Sequence, residues 1–271
     1  MPELPEVETT CRGIAPHVTG RLITRLAVHE PRLRWHVDPK LSAWARGQHI
    51  VGVRRRAKYL LLELERGHLL VHLGMSGSLR VLPVSTAREP HDHFDLEMDS
   101  GWLVRFNDPR RFGCLKHLIG DPARHPLLRR LAPEPLDDGF DADYLFRTTR
   151  RRSVAIKLAI MNSQLVVGVG NIYASEALFR AGIRPGRAAK SLTRAECTAL
   201  VKAIKAVLSD AIKAGGTTLR DYVGAGGEPG YFRQKLYVYE RSGQPCRRCE
   251  TPIKHRTQGQ RSTYFCPVCQ Q

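Results

Sequence analysis

The sequence contains no run of about eighteen apolar residues, the length that a membrane-spanning helix requires. Its first residues also lack the basic-then-apolar order of a secretory signal. Apart from two CxxC pairs, it has no internal repeat and no low-complexity tract. These absences predict a soluble intracellular protein.

Acidic residues are scarce relative to basic ones. The 271 residues include 43 lysines and arginines but only 26 aspartates and glutamates, which gives a formal net charge of +17. A surplus of this size indicates a polyanionic partner, because a positive surface attracts phosphates and releases their counterions on binding. A membrane surface or a ribosomal partner fits the charge equally well. The length predicts roughly one to three domains.

The cysteines do not suit a disulfide framework, because there are seven of them and two pairs have CxxC spacing. Cys11, Cys114 and Cys197 are scattered, and we interpret them as ordinary small residues. The other four follow the pattern C-x2-C-x16-C-x2-C, which predicts one structural zinc ion held by four thiolates: Cys246, Cys249, Cys266 and Cys269. The alternative is reduced cysteines in two unrelated turns, which requires a coincidence of two pairs.

The residues between the two CxxC pairs are rich in basic side chains. They surround a turn at Gly259, and together they predict a basic fingertip suited to phosphate: Lys254, His255, Arg256 and Arg261. A zinc ion with four thiolates has no open coordination position, so we expect no catalysis at the metal.

The spacing of apolar residues changes along the chain. A helical row over residues 4–20, formed by Val7, Cys11, Ile14 and Val18, precedes segments that alternate as strands do. These segments predict an antiparallel β-sandwich in an N-terminal domain, residues 1–133. The segment APEPLDDGFDAD, rich in proline, aspartate and glycine, has the composition of a linker.

Helical spacing returns beyond this linker. Thr193 and Glu196 form a capping box, and the apolar row that follows leads to Gly215 and Gly216, where a helix is expected to end. We therefore predict a helical domain at residues 134–225, a glycine-rich stretch at 226–235 and a cysteine module at 236–271. The glycine-rich stretch suits a loop that closes over a ligand, and equally a flexible linker.

Two short segments allow both a structural and a chemical interpretation. The opening MPELPEVETT suits a helix start, because proline is tolerated in the first turn and carboxylates favour the helix dipole there. GVGN at 168–171 is a poor match to a nucleotide-binding loop, since Tyr173 stands where a small residue is needed. It better predicts a tight turn before a helix near Ile172, whose free N–H groups, with Asn171, suit a DNA phosphate.

Six motifs, in order from one end of the chain to the other, resemble those of formamidopyrimidine-DNA glycosylases: PELPEVE, RRAKYL, HLGMSG, DPRRFG, VVGVGNIYASEALF and QRSTYFCPVCQ. The resemblance implies an α+β multidomain fold with an N-terminal antiparallel β-sandwich and flanking helices, a helix-two-turn-helix domain and a C-terminal zinc-finger β-hairpin. It also implies a monomeric bacterial enzyme of the cytoplasm and nucleoid. Such an enzyme excises oxidised purines, chiefly 8-oxoguanine and formamidopyrimidines, from damaged double-stranded DNA and nicks the abasic site by β,δ-elimination.

The resemblance gives the opening residues chemical roles. Pro2, made N-terminal by removal of Met1, would attack C1′ of the damaged nucleotide. Glu3 would protonate the sugar ring oxygen, and Glu6 would position backbone N–H groups. A terminal amine with a pKa near 8 is neutral to roughly a tenth at pH 7, whereas a lysine with a pKa near 10.4 is neutral to well under about a thousandth, so proline is the better nucleophile.

Further roles follow from the same resemblance. Lys58, expected at the start of a strand, would assist the β-elimination, and Arg261 on the fingertip would assist the δ-elimination. Met75 and Phe112 would fill the space of an extracted base, and Arg110 would bond the orphaned partner base. The remaining implied DNA-binding residues are His91 and Arg152, at the backbone, and Lys157, close to Asn171.

Two alternatives remain open. The sister endonuclease VIII type removes oxidised pyrimidines with the same proline and glutamate, but it typically begins PEG and has a different wedge. A zinc-ribbon nucleic-acid binder without catalysis is disfavoured by the intact Pro2-Glu3 start. One departure from the family is Asn162, where relatives commonly carry an acidic residue, and it bears only on local helix pairing.

Overall fold

The computed structural model of the protein describes residues 2–216 and 236–271, so the predicted glycine-rich stretch at 226–235 lies outside the described residues. The described chain groups into two compact units, residues 2–129 with 214–216 and residues 130–213 with 236–271. The break after Arg129 comes before the boundary predicted at residue 133. No helix in either described range is long and apolar enough to cross a membrane.

Two antiparallel four-stranded sheets form most of the first unit. Their strands are Ile23–Val28 (β1), Ile50–Arg56 (β2), Tyr59–Leu64 (β3), Gly67–His72 (β4), Ser78–Pro83 (β5), Asp92–Met98 (β6), Trp102–Asn107 (β7) and Cys114–Leu118 (β8). The strand orders are β1-β6-β7-β5 and β2-β3-β4-β8. Leu26, Phe94 and Phe106 of one sheet share a buried core with Leu62 and Val71 of the other, which confirms the predicted β-sandwich.

Helix α1, Leu4–Val18, covers this core. Its four predicted apolar positions are all buried in the same cluster: Val7, Cys11, Ile14 and Val18. The N–H of Thr19 closes the last turn on the carbonyl oxygen of Ala15 at 3.0 Å. A shorter helix α2, Leu41–Ala45, lies between β1 and β2 in the chain, and a 3-10 turn at Pro122–Arg124 follows β8.

The hairpin between β2 and β3 corrects one expectation about Lys58. Strand β3 begins at Tyr59, and Lys58 lies with Ala57 in the two-residue turn before it, not in a strand. Ala57 has a φ of 53°, the left-handed conformation that such a tight turn requires. The apolar run after Lys58 indicates a strand but does not mark where its pairing begins.

The second unit contains four helices, α3 (Ala142–Thr149), α4 (Ile156–Ile160), α5 (Asn171–Ala181) and α6 (Arg194–Lys213), a 3-10 turn at Ala189–Ser191 and the hairpin strands β9 (Lys254–Gln258) and β10 (Arg261–Phe265). The predicted capping box of α6 is confirmed. The N–H of Thr193 donates to Glu196 Oε2 at 2.8 Å, and the N–H of Glu196 donates to Thr193 Oγ1 at 3.2 Å. Helix α6 packs against α3 and α5.

The cysteine module belongs to the same compact unit as these helices, whereas the sequence predicts two separate domains. One buried carboxylate makes much of the connection. Glu176 of α5 accepts the N–H groups of Tyr237, Val238 and Tyr239, each at 2.9 Å. The chain entering the cysteine module is therefore fixed to a helix through its own backbone.

An ion pair across β6 and β7 allows a test of the first unit. Arg105, only 2% exposed, donates to both carboxylate oxygens of Asp95 at 2.7 and 2.9 Å. Its third nitrogen donates to the carbonyl oxygens of Thr86 and Ala87. We expect Arg105→Met to lower the free energy of unfolding by about 3–5 kcal/mol, because the buried Asp95 would lose its two-pronged guanidinium partner and keep its bond to His29 at 3.1 Å.

The matched control is Arg25→Met, which breaks an exposed pair with Glu97 in the same sheet. We expect this variant to lose about 1 kcal/mol or less. Urea denaturation measures both losses, and equal losses in the two variants would contradict a special role for Arg105.

Candidate functional site

The first helix begins with two interlocked carboxylates. The N–H of Glu3 donates to Glu6 Oε2 at 2.8 Å, and the carboxylate of Glu3 accepts the N–H of Glu6 in return. Glu3 is 2% exposed and Glu6 is 1% exposed, so neither is a solvated charge at a helix end. Pro2, directly before them, is also buried. The structure thus places the predicted nucleophile beside the predicted proton donor, and it gives Glu6 the expected bond to a backbone N–H.

The end of the segment that follows α6 lies against Glu6. Gly216 has a φ of +83°, and a Cβ on it would stand 3.1 Å from Glu6 Oε1. A side chain there would combine backbone strain with crowding of the carboxylate. Gly216, predicted only as a helix stop, therefore also shapes the surroundings of the carboxylate pair.

His72, which sequence reasoning missed, lies at the end of β4. Burial, followed by the nearby charges of Lys58 and Arg34, lowers the pKa of His72 to about 4, so the imidazole is neutral at pH 7. Its Nδ1 accepts the N–H of Gly74 at 2.9 Å. The HLGMSG motif contains this histidine, but only the tertiary structure reveals its environment.

The three predicted wedge residues meet at one cleft of about 750 Å³ in the first unit. Met75 lies in the loop between β4 and β5, while Arg110 and Phe112 lie in the loop between β7 and β8. The Phe112 side chain is 45% exposed, and the Arg110 guanidinium lies 5.0 Å from the centre of its ring. Three further arginines line the cleft: Arg32, Arg34 and Arg111.

His91 lies beside this cleft region, in the chain before β6. Its backbone is left-handed, with a φ of 71°, and its carbonyl oxygen accepts the N–H of Asp108 at 3.1 Å. It lines a smaller cleft of about 370 Å³ together with Arg88 and Arg111. The sandwich therefore presents an exposed aromatic ring and a histidine among several cations.

Helix α5 of the second unit begins at Asn171, one residue from the predicted position. Asn171 Oδ1 is buried and has no hydrogen-bond partner among the described residues. Arg152 lies just beyond α3, where its Nε donates to the carbonyl oxygen of Thr148 at 3.1 Å. A helix N-terminus can bind an anion through its backbone N–H groups.

Lys157 differs from the expected DNA contact. It is fully buried at 0% exposure, and its Nζ donates to the carbonyl oxygen of Ser262 and to Thr263 Oγ1, both at 2.8 Å. A lysine enclosed in this way holds strand β10 and presents no charge at the surface. Arg261, at the start of that strand, is exposed.

The four clustered cysteines fit a zinc ion. All four Sγ atoms lie within 4.8 Å of one another, and two of the separations are 3.5 and 3.9 Å. Zn–S bonds of about 2.3 Å in a tetrahedron place sulfurs about 3.8 Å apart. The N–H groups of Arg248 and Cys269 point at Cys246 and Cys266 sulfurs, each at 3.4 Å, which stabilises thiolates. The cluster is a structural zinc site for one ion.

The three scattered cysteines are buried and separate from this cluster. Burial raises the pKa of Cys11 and of Cys114 to about 11, so both stay as neutral thiols at pH 7. Their burial agrees with the interpretation of ordinary small residues.

Exposed arginines around Phe112, together with a buried pair of carboxylates at the start of α1, are typical of a nucleic-acid-processing protein, and the zinc hairpin of the second unit agrees with this class. Family models match in three places: the formamidopyrimidine-DNA glycosylase N-terminal domain at 1–115, its H2TH domain at 131–223 and a zinc finger found in FPG and IleRS at 243–271. The chain belongs to the formamidopyrimidine-DNA glycosylase family.

Individual relatives match the whole chain. The formamidopyrimidine-DNA glycosylases of Thioalkalivibrio sulfidiphilus and Alcanivorax borkumensis are 61% and 56% identical, covering 100% of both chains. The solved MutM (FPG) protein of Thermus thermophilus has a TM-score of 0.89 at 41% identity, covering 99% of this chain and 98% of that one. A Lactococcus lactis FPG mutant in complex with Fapy-dG containing DNA has a TM-score of 0.93 at 33% identity, covering 100% of both chains.

The zinc site generates a second prediction. Freshly purified protein should contain one zinc ion per chain, and Cys249→Ser should lose it, because three thiolates bind far more weakly than four. The hairpin should then become sensitive to protease while the sandwich stays folded. Elemental analysis and limited proteolysis measure these effects.

Cys197→Ser is the control, because Cys197 is equally a cysteine but lies in α6, outside the cluster. This variant should keep its zinc. Active wild-type protein without zinc would rule out the site.

Proposed function

We propose that this protein excises oxidised purines, chiefly 8-oxoguanine and formamidopyrimidines, from duplex DNA and then cleaves the abasic site by β,δ-elimination. Family membership makes it a bifunctional DNA glycosylase and abasic-site lyase of base excision repair. The observation that carries the site assignment is the buried Glu3–Glu6 pair directly behind Pro2.

Pro2 is the nucleophile in this proposal. After Met1 is removed, its secondary amine bonds to C1′ while the glycosidic bond to the damaged base breaks. Glu3 gives a proton to the sugar ring oxygen as the ring opens, and the product is an iminium ion. This positive centre accepts the electrons released when protons leave the sugar, so that the 3′ and then the 5′ phosphate depart. Glu6 holds the backbone N–H of Glu3 and so positions the proton donor.

Extraction of the base from the stack costs a few kcal/mol, and the vacated space must be filled. Met75 and Phe112 enter it as apolar wedges, and Arg110 donates hydrogen bonds to the orphaned base. The ring of Phe112 supports this role because it is 45% exposed at the cleft that Met75 and Arg110 also line, and DNA can therefore reach it.

The remaining cations hold the phosphate backbone. His91, Arg152 and Asn171 contact phosphates, Lys58 assists the β-elimination, and Arg261 assists the δ-elimination. Lys157 acts differently from the other residues, since its buried ammonium holds the hairpin that carries Arg261. The zinc ion keeps this hairpin folded when bound and takes no part in the chemistry.

Because the substrate is DNA, the protein acts at the nucleoid in the bacterial cytoplasm. It acts there as a monomer. The rival activity is excision of oxidised pyrimidines by an endonuclease VIII type. The curated relatives carry the purine-enzyme name, and the Lactococcus lactis complex contains Fapy-dG, which is an oxidised purine lesion. A panel of lesions in one duplex sequence separates the two activities.

The assignment of Pro2 is tested by trapping. Borohydride added during reaction with a duplex containing 8-oxoguanine should leave the protein covalently bound to DNA, because it reduces the iminium. A variant that retains Met1 should form no adduct. Mass spectrometry should locate the sugar on Pro2. An adduct on Lys58 would show that Pro2 is not the nucleophile.

The role of Arg110 is tested by the base opposite the lesion. Cytosine offers ring-nitrogen and carbonyl acceptors to an arginine, whereas adenine presents an amino donor. Lost hydrogen bonds of this kind are worth about 1–3 kcal/mol, so excision opposite adenine should be roughly ten- to hundredfold slower. Arg110→Ala should lose most of this ratio in single-turnover kinetics.

Arg111→Ala is the matched control, since Arg111 is an exposed cation in the same cleft but lies near Glu30, 3.6 Å away. It should weaken DNA binding and leave the ratio of the two rates unchanged. Equal rates opposite cytosine and adenine in the wild type, or faster excision of thymine glycol than of 8-oxoguanine, would favour the pyrimidine enzyme.

A further inference from the structure

The wedge residues come from two loops that are distant in sequence, residues 73–77 with Met75 and residues 108–113 with Arg110 and Phe112. We call these the wedge loops. A carboxylate at the start of the second loop bonds to the first loop. Asp108 is 0% exposed, and its Oδ1 accepts the hydroxyl of Ser76 at 2.6 Å. The two loops are therefore joined by a short buried hydrogen bond.

The same carboxylate also holds the backbone of its own loop. Asp108 Oδ2 accepts the N–H of Gly113 at 2.8 Å, and the N–H of Arg110 is shared between Asp108 Oδ1 and Ser76 Oγ, both at 3.3 Å. The carbonyl oxygen of Asp108 pairs with His93 Nε2 at 2.7 Å. The side chain of Asp108 thus bonds to the far end of its own loop at Gly113 and to the middle of that loop at Arg110.

The loop backbones are also in direct contact. A Cβ on Gly74 would lie 2.4 Å from the backbone nitrogen of Gly113, so a side chain at position 74 would push the loops apart. Close packing and a buried hydrogen bond together leave little freedom for Met75 to move independently of Arg110 and Phe112.

We propose that the Ser76–Asp108 hydrogen bond makes the wedge loops one rigid element and thereby sets the preference for cytosine opposite the lesion. Neither side chain needs to touch DNA for this role, so both are positioning residues. This proposal rests on the proposed function, because a fixed position of Arg110 matters only if Arg110 bonds the base opposite the lesion. Hydrogen bonds from Arg110 to the opposite base discriminate only if its backbone keeps a fixed position while the wedge is inserted.

The test uses two variants and one control in the full-length protein. Ser76→Ala removes the bond between the loops. Asp108→Asn keeps the size of the side chain but replaces an acceptor oxygen by a nitrogen that cannot accept. Ser78→Ala is the control, because Ser78 is also buried, lies two residues further along and makes no bond to Asp108. Thermal unfolding and zinc content establish that each variant is folded.

The first measurement is amide hydrogen exchange in the free protein. The N–H groups of Arg110 and Gly113 should exchange about tenfold faster in Ser76→Ala and in Asp108→Asn, and at the wild-type rate in Ser78→Ala. Unchanged exchange in Ser76→Ala would overturn the proposal, whatever the enzyme does to DNA.

The second measurement is the ratio of single-turnover excision rates opposite cytosine and opposite adenine. It should fall by about three- to tenfold in Ser76→Ala, mainly through slower excision opposite cytosine. A merely structural loss would slow both reactions equally, and that result would also overturn the proposal. If the wild-type protein shows no preference for cytosine, the proposed function is contradicted. Hydrogen exchange would still test whether the Ser76–Asp108 bond holds the loops together.

Discussion

Buried carboxylates that accept backbone N–H groups are the interaction on which the functional parts of this molecule depend. Glu6 holds the start of helix α1, Asp108 holds the loop of Arg110, and Glu176 holds the chain entering the zinc module. A carboxylate can accept several N–H groups at once, and such charge-assisted bonds are stronger than neutral ones. Glu6 therefore fixes the residue that precedes α1, and Asp108 and Glu176 fix segments outside the helices and strands.

This use of acidic residues also explains the charge of the surface. Of the 26 acidic residues, which are outnumbered by 43 basic ones, several are buried, among them Glu3, Glu6 and Asp108, so fewer negative charges remain at the surface. Arg110 and Arg261 are exposed. Buried carboxylates thus have two effects. They hold backbone segments inside the protein, and they remove negative charge from the surface that binds DNA.

Local patterns predicted most of the fold. The α1 row, the capping box of α6 and the four zinc cysteines were correct because each depends on residues close in sequence. The turn at Lys58 and the burial of Lys157 were not foreseen, since both depend on pairing with residues that spacing alone does not identify. The Ser76–Asp108 bond joins residues 32 positions apart, and their motifs, HLGMSG and DPRRFG, give no sign that they meet. The resemblance names the site residues, but it does not identify the buried contacts that hold them in place.

The zinc module shows why that support matters. Zinc closes the four-cysteine end of the hairpin, yet Arg261 lies at the other end, beyond the reach of the metal's own geometry. The position of Arg261 in its unit is set instead by bonds to the helical part. Lys157 holds the backbone of Ser262, and Gln270 donates to the carbonyl oxygen of Ile183 at 2.9 Å. Folding of the hairpin and placement of its tip are therefore separate tasks, and a buried lysine performs the second because its ammonium can bind a carbonyl and a hydroxyl at once.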